Sequence, residues 1–172
     1  MRVELRGGDE SWAIAEPLVA LVYPPEIMAT IVWRDVTWAH ADERVLVYDE
    51  ERLVSHAGLY LRQGLRDGSA VRIGGIGGVM THPACRARGF ASTALRRADD
   101  SFRAHGVDFT LLFCEPKNFA FYGGLGWRVF PGTVIVEQPN GRGPFAVMTA
   151  MVHDASKPAP SGGTIDLCGL PW

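Results

Sequence analysis

The stretch Ile76 to Ala98, IGGVMTHPACRARGFASTALRRA, constrains the fold more than any other part of the 172-residue chain. It opens as an apolar run, meets Pro83, passes through Arg86-Ala87-Arg88-Gly89-Phe90-Ala91, and enters a segment with Ala94, Leu95 and Ala98 at helical spacing. That order is a strand, a tight turn and a helix start. A helix N-terminus carries unpaired N–H groups and the positive end of the macrodipole, so a small-residue turn leading into it can cradle a pyrophosphate. Gly89 and Ala91 let a ligand approach the backbone, and Arg86 and Arg88 supply charge. The same residues also read as an Arg-flanked turn that merely joins strand to helix.

Around this unit the chain alternates helical and extended segments. Arg2 to Leu5 alternates as a first strand; Ser11 to Tyr23 reads as a helix broken by Pro24-Pro25, and Glu26 to Trp33 as a second. Ile14, Leu18, Leu21, Ile27, Met28 and Ile31 are expected in the core. Arg44 to Tyr48 and Leu53 to Leu61 form a hairpin, and after a turn at Arg66-Asp67-Gly68 a long strand runs from Ala70 to Thr81. Its glycines, Gly74-Gly75 and Gly77-Gly78, mark a bulge or a close approach. The helix Phe90 to Ala104, the buried strand Asp108 to Cys114 and a helix from Pro116 to Gly126 follow. Strands at Trp127 to Phe130, Thr133 to Glu137 and Phe145 to Val152 complete the pattern, with Asn140-Gly141 as a hairpin turn. This predicts an α/β (α+β) domain over 1–153. Residues 154–172 follow as a Pro-, Ser- and Gly-rich linker and a tail, and the apolar end of that tail, Ile165 to Trp172, folds back over the domain.

Composition narrows the partners. A hydrophobic fraction of 47% with 21% charged residues fits a soluble globular domain, and a net charge of -2 offers no general attraction to nucleic acid or an anionic membrane. Three cysteines, Cys85, Cys114 and Cys168, without CxxC spacing argue against a disulfide framework and a zinc site. No long apolar stretch opens the chain, so a cytoplasmic protein is expected, with no metal and with its oligomeric state open, a homodimer included. No HExxH, P-loop or Ser-His-Asp pattern supports a hydrolase or an NTPase.

Arg86-x-x-Gly89-x-Ala91, after a strand and before a helix, resembles the acetyl-CoA signature of the GNAT acyltransferases, R/Q-x-x-G-x-G/A. Phe121-Tyr122-Gly123-Gly124-Leu125-Gly126-Trp127 resembles the aromatic-Tyr-x-x-x-Gly-aromatic segment of the same family and lies where the family has it, one helix and one strand downstream. The resemblance implies the GNAT fold: a mixed, mostly antiparallel central sheet flanked by helices, with splayed central strands. It also implies acetyl-CoA as co-substrate, contacted by Val79, Thr81, Arg86, Arg88, Gly89, Phe90, Ala91 and Ser92.

The segment Leu53 to Leu59 through Val79, both motifs and the Leu-Cys…Trp ending together resemble the aminoglycoside 2'-N-acetyltransferases, over most of the chain from Asp35 onward. That implies a small-molecule amine acceptor bound by Asp35, Trp38 and Trp172, the last through its indole and carboxylate. Two departures weaken a polycation site. The group's Glu, proposed as a water-mediated base, is Gly77 here, and its acidic residues before the last strand are replaced by Asn140-Gly141-Arg142-Gly143-Pro144. An acceptor with fewer amines, such as kasugamycin, fits these changes; the alternatives are acetylation of another amine, a polyamine, an amino acid or a protein N-terminus, and a non-catalytic acyl-CoA-binding module.

Acetyl transfer to an amine needs a held thioester, a neutral amine, a donor for the oxyanion and a proton for the departing thiolate. An N–H near Val79 is the expected donor and Tyr122 the expected general acid. Glu115 and the Trp172 carboxylate are candidates to take a proton through water. Each has a plain alternative: Tyr122 as packing, the carboxylates as surface or capping groups. His56 and His82 read as structural histidines.

Overall fold

The computed structural model describes residues 1–172. Its strands are β1 Arg2–Gly7, β2 Glu43–Asp49, β3 Arg52–Arg66, β4 Ser69–Thr81, β5 Phe109–Cys114, β6 Arg128–Val129, β7 Thr133–Gln138, β8 Gly141–Pro144, β9 Thr149–Asp154 and β10 Thr164–Asp166. Helices α1 Gly8–Val22, α2 Pro25–Met28, α3 Phe90–Ala104 and α4 Phe119–Gly123 accompany them. All ten strands join one sheet in the order β6-β9-β5-β4-β3-β10-β7-β8, with β2 and then β1 added along the first half of β3. Only β4 with β5 and β10 with β7 run parallel, so the sheet is mixed and mostly antiparallel, as the motifs imply.

Long β3 accounts for this arrangement. Its first half pairs with β2 from Leu53 to Leu59, and its last residues Leu65 and Arg66 pair with β10, while β4 follows it along the other edge. The β3–β4 turn places Asp67 and Gly68 both at positive φ, +46° and +83°, whose twist suits a tight hairpin.

Two cores form, one per face. Amphipathic α3 lays Phe90, Ala94, Leu95, Ala98 and Phe102 over Ala57, Leu59, Ile76 and Leu112. On the other face Ile73, Leu111 and Phe113 meet Val134 and Val136 of β7 and Ile165, Leu167 and Trp172 of the tail. The residues 154–172 are therefore woven into the sheet and its second core. Arg62 holds them with hydrogen bonds to the carbonyls of Leu167 (3.1 Å) and Leu170 (3.2 Å).

Three expectations need correction. The second helix spans only Pro25–Met28 rather than Glu26 to Trp33. Four residues have no buried face to pack, and β-branched Thr30, Ile31 and Val32 do not extend them. Of the six apolar residues assigned to the core from these helices only Leu18 is buried; Leu21, Ile27 and Met28 are exposed, and Ile14 packs partly against Leu46 and Tyr48. Phe145 to Val152 is not one strand: β8 ends at Pro144 and β9 begins at Thr149, and the hairpin turn falls at Pro139-Asn140, one residue early. Just past the last ladder pair the Phe145 N–H still donates to Val134 O at 2.8 Å, and its ring packs on Phe113 (4.6 Å between centroids) and Trp38 (6.0 Å).

Candidate active site

The parallel pair β4–β5 is laddered from Ile73/Phe109 to Ile76/Leu112 and no further. Beyond Ile76, β4 bulges: Gly77 pairs with Gly58 and Met80 with His56, so Gly78 and Val79 stand opposite Ala57 alone. Gly78 takes φ +57°. The two strands therefore splay at their carboxyl ends, where open α/β arrangements place ligands. A surface cavity of about 440 Å³ near Val71, Asp108 and Lys157 lies at their opposite ends, away from this chemistry.

After Thr81 the chain makes a 3-10 turn, Pro83–Cys85, and reaches α3 through Arg86, Ala87, Arg88 and Gly89. Gly89 caps α3 at φ +81°, a conformation side chains resist, and a Cβ built on it meets no atom within 4 Å. The turn is thus open to solvent at Gly89. The first intrahelical bond of α3 runs from Thr93 N to Gly89 O, leaving the N–H groups of Phe90, Ala91 and Ser92 directed out of the helix start. Arg86 stands exposed beside them. Arg88 is partly engaged, pairing with Asp49 at 3.0 Å and lying 5.0 Å over the Phe90 ring. Thr81 closes the strand end with Ser55 Oγ at 3.0 Å. Val79, Thr81, Arg86, Arg88, Gly89, Phe90, Ala91 and Ser92 thus fall on one bulge, turn and helix start.

Tyr122 lies on α4, buried, edge-on to Trp127 and Phe121. Burial, with the neighbouring Cys114 thiol and Tyr23 phenol, raises its pKa, so the phenol stays protonated at neutral pH. Cys114 is itself pushed up to about 11 by burial and by Glu115, which keeps it a neutral thiol. Glu115 pairs with Lys117 at 3.0 Å.

On the face opposite α3, the indole of Trp172 fills the foot of the splay. Its Nε1–H donates to Leu111 O at 3.0 Å, and its ring stacks on Tyr60 with 5.7 Å between centroids. The ring lies where a Cβ on Gly75 would sit, and the Trp172 main-chain carbon is 2.9 Å from where a Gly77 Cβ would project. Trp172 thus occupies the volume that a side chain at position 77 would need. From it an aromatic row runs through Phe113, Phe145, Trp38 and Trp33 to Tyr23 at the end of α1. The structure thus brings Trp38 and Trp172 into one wall, but not Asp35, which is exposed and 3.6 Å from Arg34. Tyr60, Trp33, Phe113 and Phe145 carry no sequence signal for this role, since each comes from a different segment.

Residues 18–130 match the family model described as an acetyltransferase (GNAT) domain. The chain belongs to the GNAT acetyltransferase family. Among solved structures, Escherichia coli ElaA is 17% identical over 89% of this GNAT chain and 99% of that one, with a TM-score of 0.60. A GNAT acetyltransferase from Brucella melitensis, solved in complex with acetyl-CoA, is 13% identical over 95% and 94%, with a TM-score of 0.56. These likenesses share the fold. A GNAT protein from Kribbella flavida is 27% identical over 50% of this chain, which spans 22% of that longer one at a TM-score of 0.47. A search of curated proteins returns no match. No helix of this GNAT chain is long and apolar enough to cross a membrane, and no three His, Cys, Asp or Glu side chains cluster as metal ligands.

One titratable group in this region is set for a measurable pH response. His56 is 4% exposed, and burial lowers its pKa to about 4, opposed by its bond to Gly78 and assisted by Arg44. Below about pH 6.5 the unfolded chain takes up a proton that the native imidazole refuses, so stability falls as pH drops from 6.5 towards 4. The contribution lost is about 3 kcal/mol, scaling the shift at roughly 1.4 kcal/mol per pKa unit. Denaturant titrations at pH 7 and pH 4.5 check it: His56→Gln should remove this part of the slope, and an unchanged slope would assign acid sensitivity elsewhere.

Proposed function

We propose that the protein is an acetyl-CoA-dependent N-acetyltransferase acting on an amino group of a small amino sugar of the aminoglycoside type, the 2'-amine by the resemblance. Such an enzyme inactivates an antibiotic by modifying it. The observation that carries the acetyl-CoA reading is the open turn at Gly89, set between the splayed strands and three free N–H groups of α3. Acetyl-CoA supplies the activated acetyl group. The N–H groups of Phe90, Ala91 and Ser92, with Arg86 and Arg88, hold its pyrophosphate; Thr81 and Val79 line the strand along which the rest lies, and the Val79 N–H polarises the carbonyl. Tyr122 protonates the departing sulfur. Glu115 takes the amine proton through water, and the main-chain end of Trp172, beside Gly77, is the second group for that task.

The acceptor reading rests on the aromatic row from Tyr23 to Trp172. Aromatic faces suit the apolar face of a sugar ring, with Trp38 and Trp172 at opposite ends of the inner part. Acidic partners for several ammonium groups are scarce: Asp35 points to solvent beside Arg34, and Glu115 is engaged by Lys117. An acceptor with one or two amines, kasugamycin among them, matches this wall better than a polycation. Thiol release from acetyl-CoA over a panel of kasugamycin, 2'-amino aminoglycosides, polyamines and amino acids tests the class. Turnover confined to polyamines or amino acids would replace the amino sugar.

Gly89→Glu tests the cofactor turn. A side chain at φ +81° strains the cap, and the new carboxylate projects into the open cradle where phosphate must sit. Calorimetric affinity for acetyl-CoA should fall at least tenfold while the far-ultraviolet circular dichroism is retained. Unchanged affinity would move the pyrophosphate elsewhere.

A further inference from the structure

His56 fits neither the sheet core nor the proton-transfer groups named above. Its ring is buried on the face of β3 opposite α3, diagonal to Arg44 across the β2–β3 pair, and Nδ1 lies 2.8 Å from the carbonyl oxygen of Gly78. A carbonyl can only accept, so Nδ1 carries the proton and Nε2 is bare. Nε2 is buried without a hydrogen-bond partner. Only one of the two ring nitrogens is used, and it is spent on the bulge.

The peptide that receives this bond is the one that matters for acetyl transfer. Gly78 C=O and Val79 N–H belong to a single planar trans peptide, so the two groups point in opposite directions. β3 flanks β4 on one edge and β5 on the other. A carbonyl held by the His56 ring therefore turns the Val79 N–H of the same peptide away from that ring and fixes its direction beside the end of the β4–β5 ladder. The bulge would otherwise leave this peptide poorly determined: Gly78 lacks a side chain, sits at φ +57°, and faces Ala57 jointly with Val79. The residues just beyond are pinned separately, Met80 O by Ser55 Oγ at 2.8 Å and His82 N by Val54 O at 2.8 Å.

We propose that His56 is a positioning residue for acetyl transfer: its Nδ1–H locks the Gly78–Val79 peptide so that the Val79 N–H is aimed at the thioester carbonyl. This rests on the reading of Val79 as the carbonyl donor. An imidazole that stays neutral in its buried site keeps the one tautomer the bond requires. Preorganised donors of this kind gain their effect from being fixed before the reaction, so a loosened peptide weakens polarisation without changing what holds the pyrophosphate.

Isotope-edited infrared spectroscopy of acetyl-CoA labelled with ¹³C at the carbonyl, bound to the protein without acceptor, tests this directly. The wild type should shift the thioester carbonyl band to lower frequency than in water. His56→Leu should lose most of that shift with its acetyl-CoA dissociation constant within about twofold, and kcat with the best acceptor should drop about tenfold or more. His56→Gln, whose amide N–H can reach the same carbonyl, should recover most of both, and it also serves as the folded variant should Leu destabilise the chain. Failure of the wild type to bind acetyl-CoA would sink the cofactor reading; binding without a band shift would sink the Val79 donor. A full band shift in both His56 variants, including one unable to donate, would return His56 to packing alone.

Discussion

Tyr122→Phe is expected to lower kcat about 10²–10⁴-fold while the acetyl-CoA dissociation constant stays within about twofold, the range that general acid catalysis contributes. The substitution removes one oxygen and keeps the ring, so the edge-on contacts with Trp127 and Phe121 survive. Burial raises the phenol pKa, and the Cys114 and Tyr23 neighbours act in the same sense. The phenol is therefore protonated across the working range, and its ionisation should not appear as a high-pH limb between pH 7 and 10. A departing CoA thiolate has the basicity of an ordinary thiol, near 8.5, so transfer from the phenol is driven by the positioning of the pair rather than by pKa alone. Steady-state kinetics with the best acceptor, alongside calorimetry, separate the two parameters. A wild-type kcat in Tyr122→Phe would leave Tyr122 with packing as its only role.

Trp172→Ala should cost about 3–5 kcal/mol of stability, the range for truncating a large buried aromatic side chain. The indole is 4% exposed, gives its N–H to Leu111, stacks on Tyr60 and lies beneath the Arg62 guanidinium at 5.5 Å. Removing it leaves a cavity between β4 and the tail and an unfilled acceptor at Leu111. At roughly 2–4 °C per kcal/mol for a chain of this size, the melting temperature should fall by about 10 °C. Gly75→Ala reaches the same site from the other side, because the new methyl group overlaps the indole and must expel it. The two changes should not add, since both vacate one site, and the double variant should melt close to the worse single one. Full additivity would show that Trp172 and Gly75 are not in contact. If the proposed acceptor wall is right, either variant should raise the acceptor KM more than the acetyl-CoA KM, because the indole lies in the aromatic row and not at the Gly89 turn.

Much of this architecture could be read from neighbouring residues. The helix Phe90–Ala104 is bounded as its sequence predicts, because its apolar spacing, its Gly89 cap and its Arg-rich start all lie within a few turns of chain. The Tyr122 segment and the bulge glycines are equally local. Reading failed where an apolar residue had a choice of partners. Leu21, Ile27 and Met28 have helical spacing, yet α2 is a single turn with nothing to cover, so these side chains remain at the surface. Phe145 to Val152 reads as one strand, but the paired residues stop at Pro144 and resume only at Thr149, with the Phe145 ring packed on Phe113 and Trp38 in between.

The amino-acid sequence by itself determined the strand-turn-helix around Gly89, the place of Tyr122 and the membership of a family, because each depends on residues adjacent along the chain. Only the tertiary structure decided that residues 154–172 supply a sheet strand, that Trp172 lies against Gly75 and Gly77, and that His56 holds the Gly78 carbonyl. Those pairings join residues about 20 to 100 positions apart. Which partner each finds is set by the register of β3 against β4 and by the volume left where glycine takes the place of a side chain. Neither quantity has a local signature in the chain.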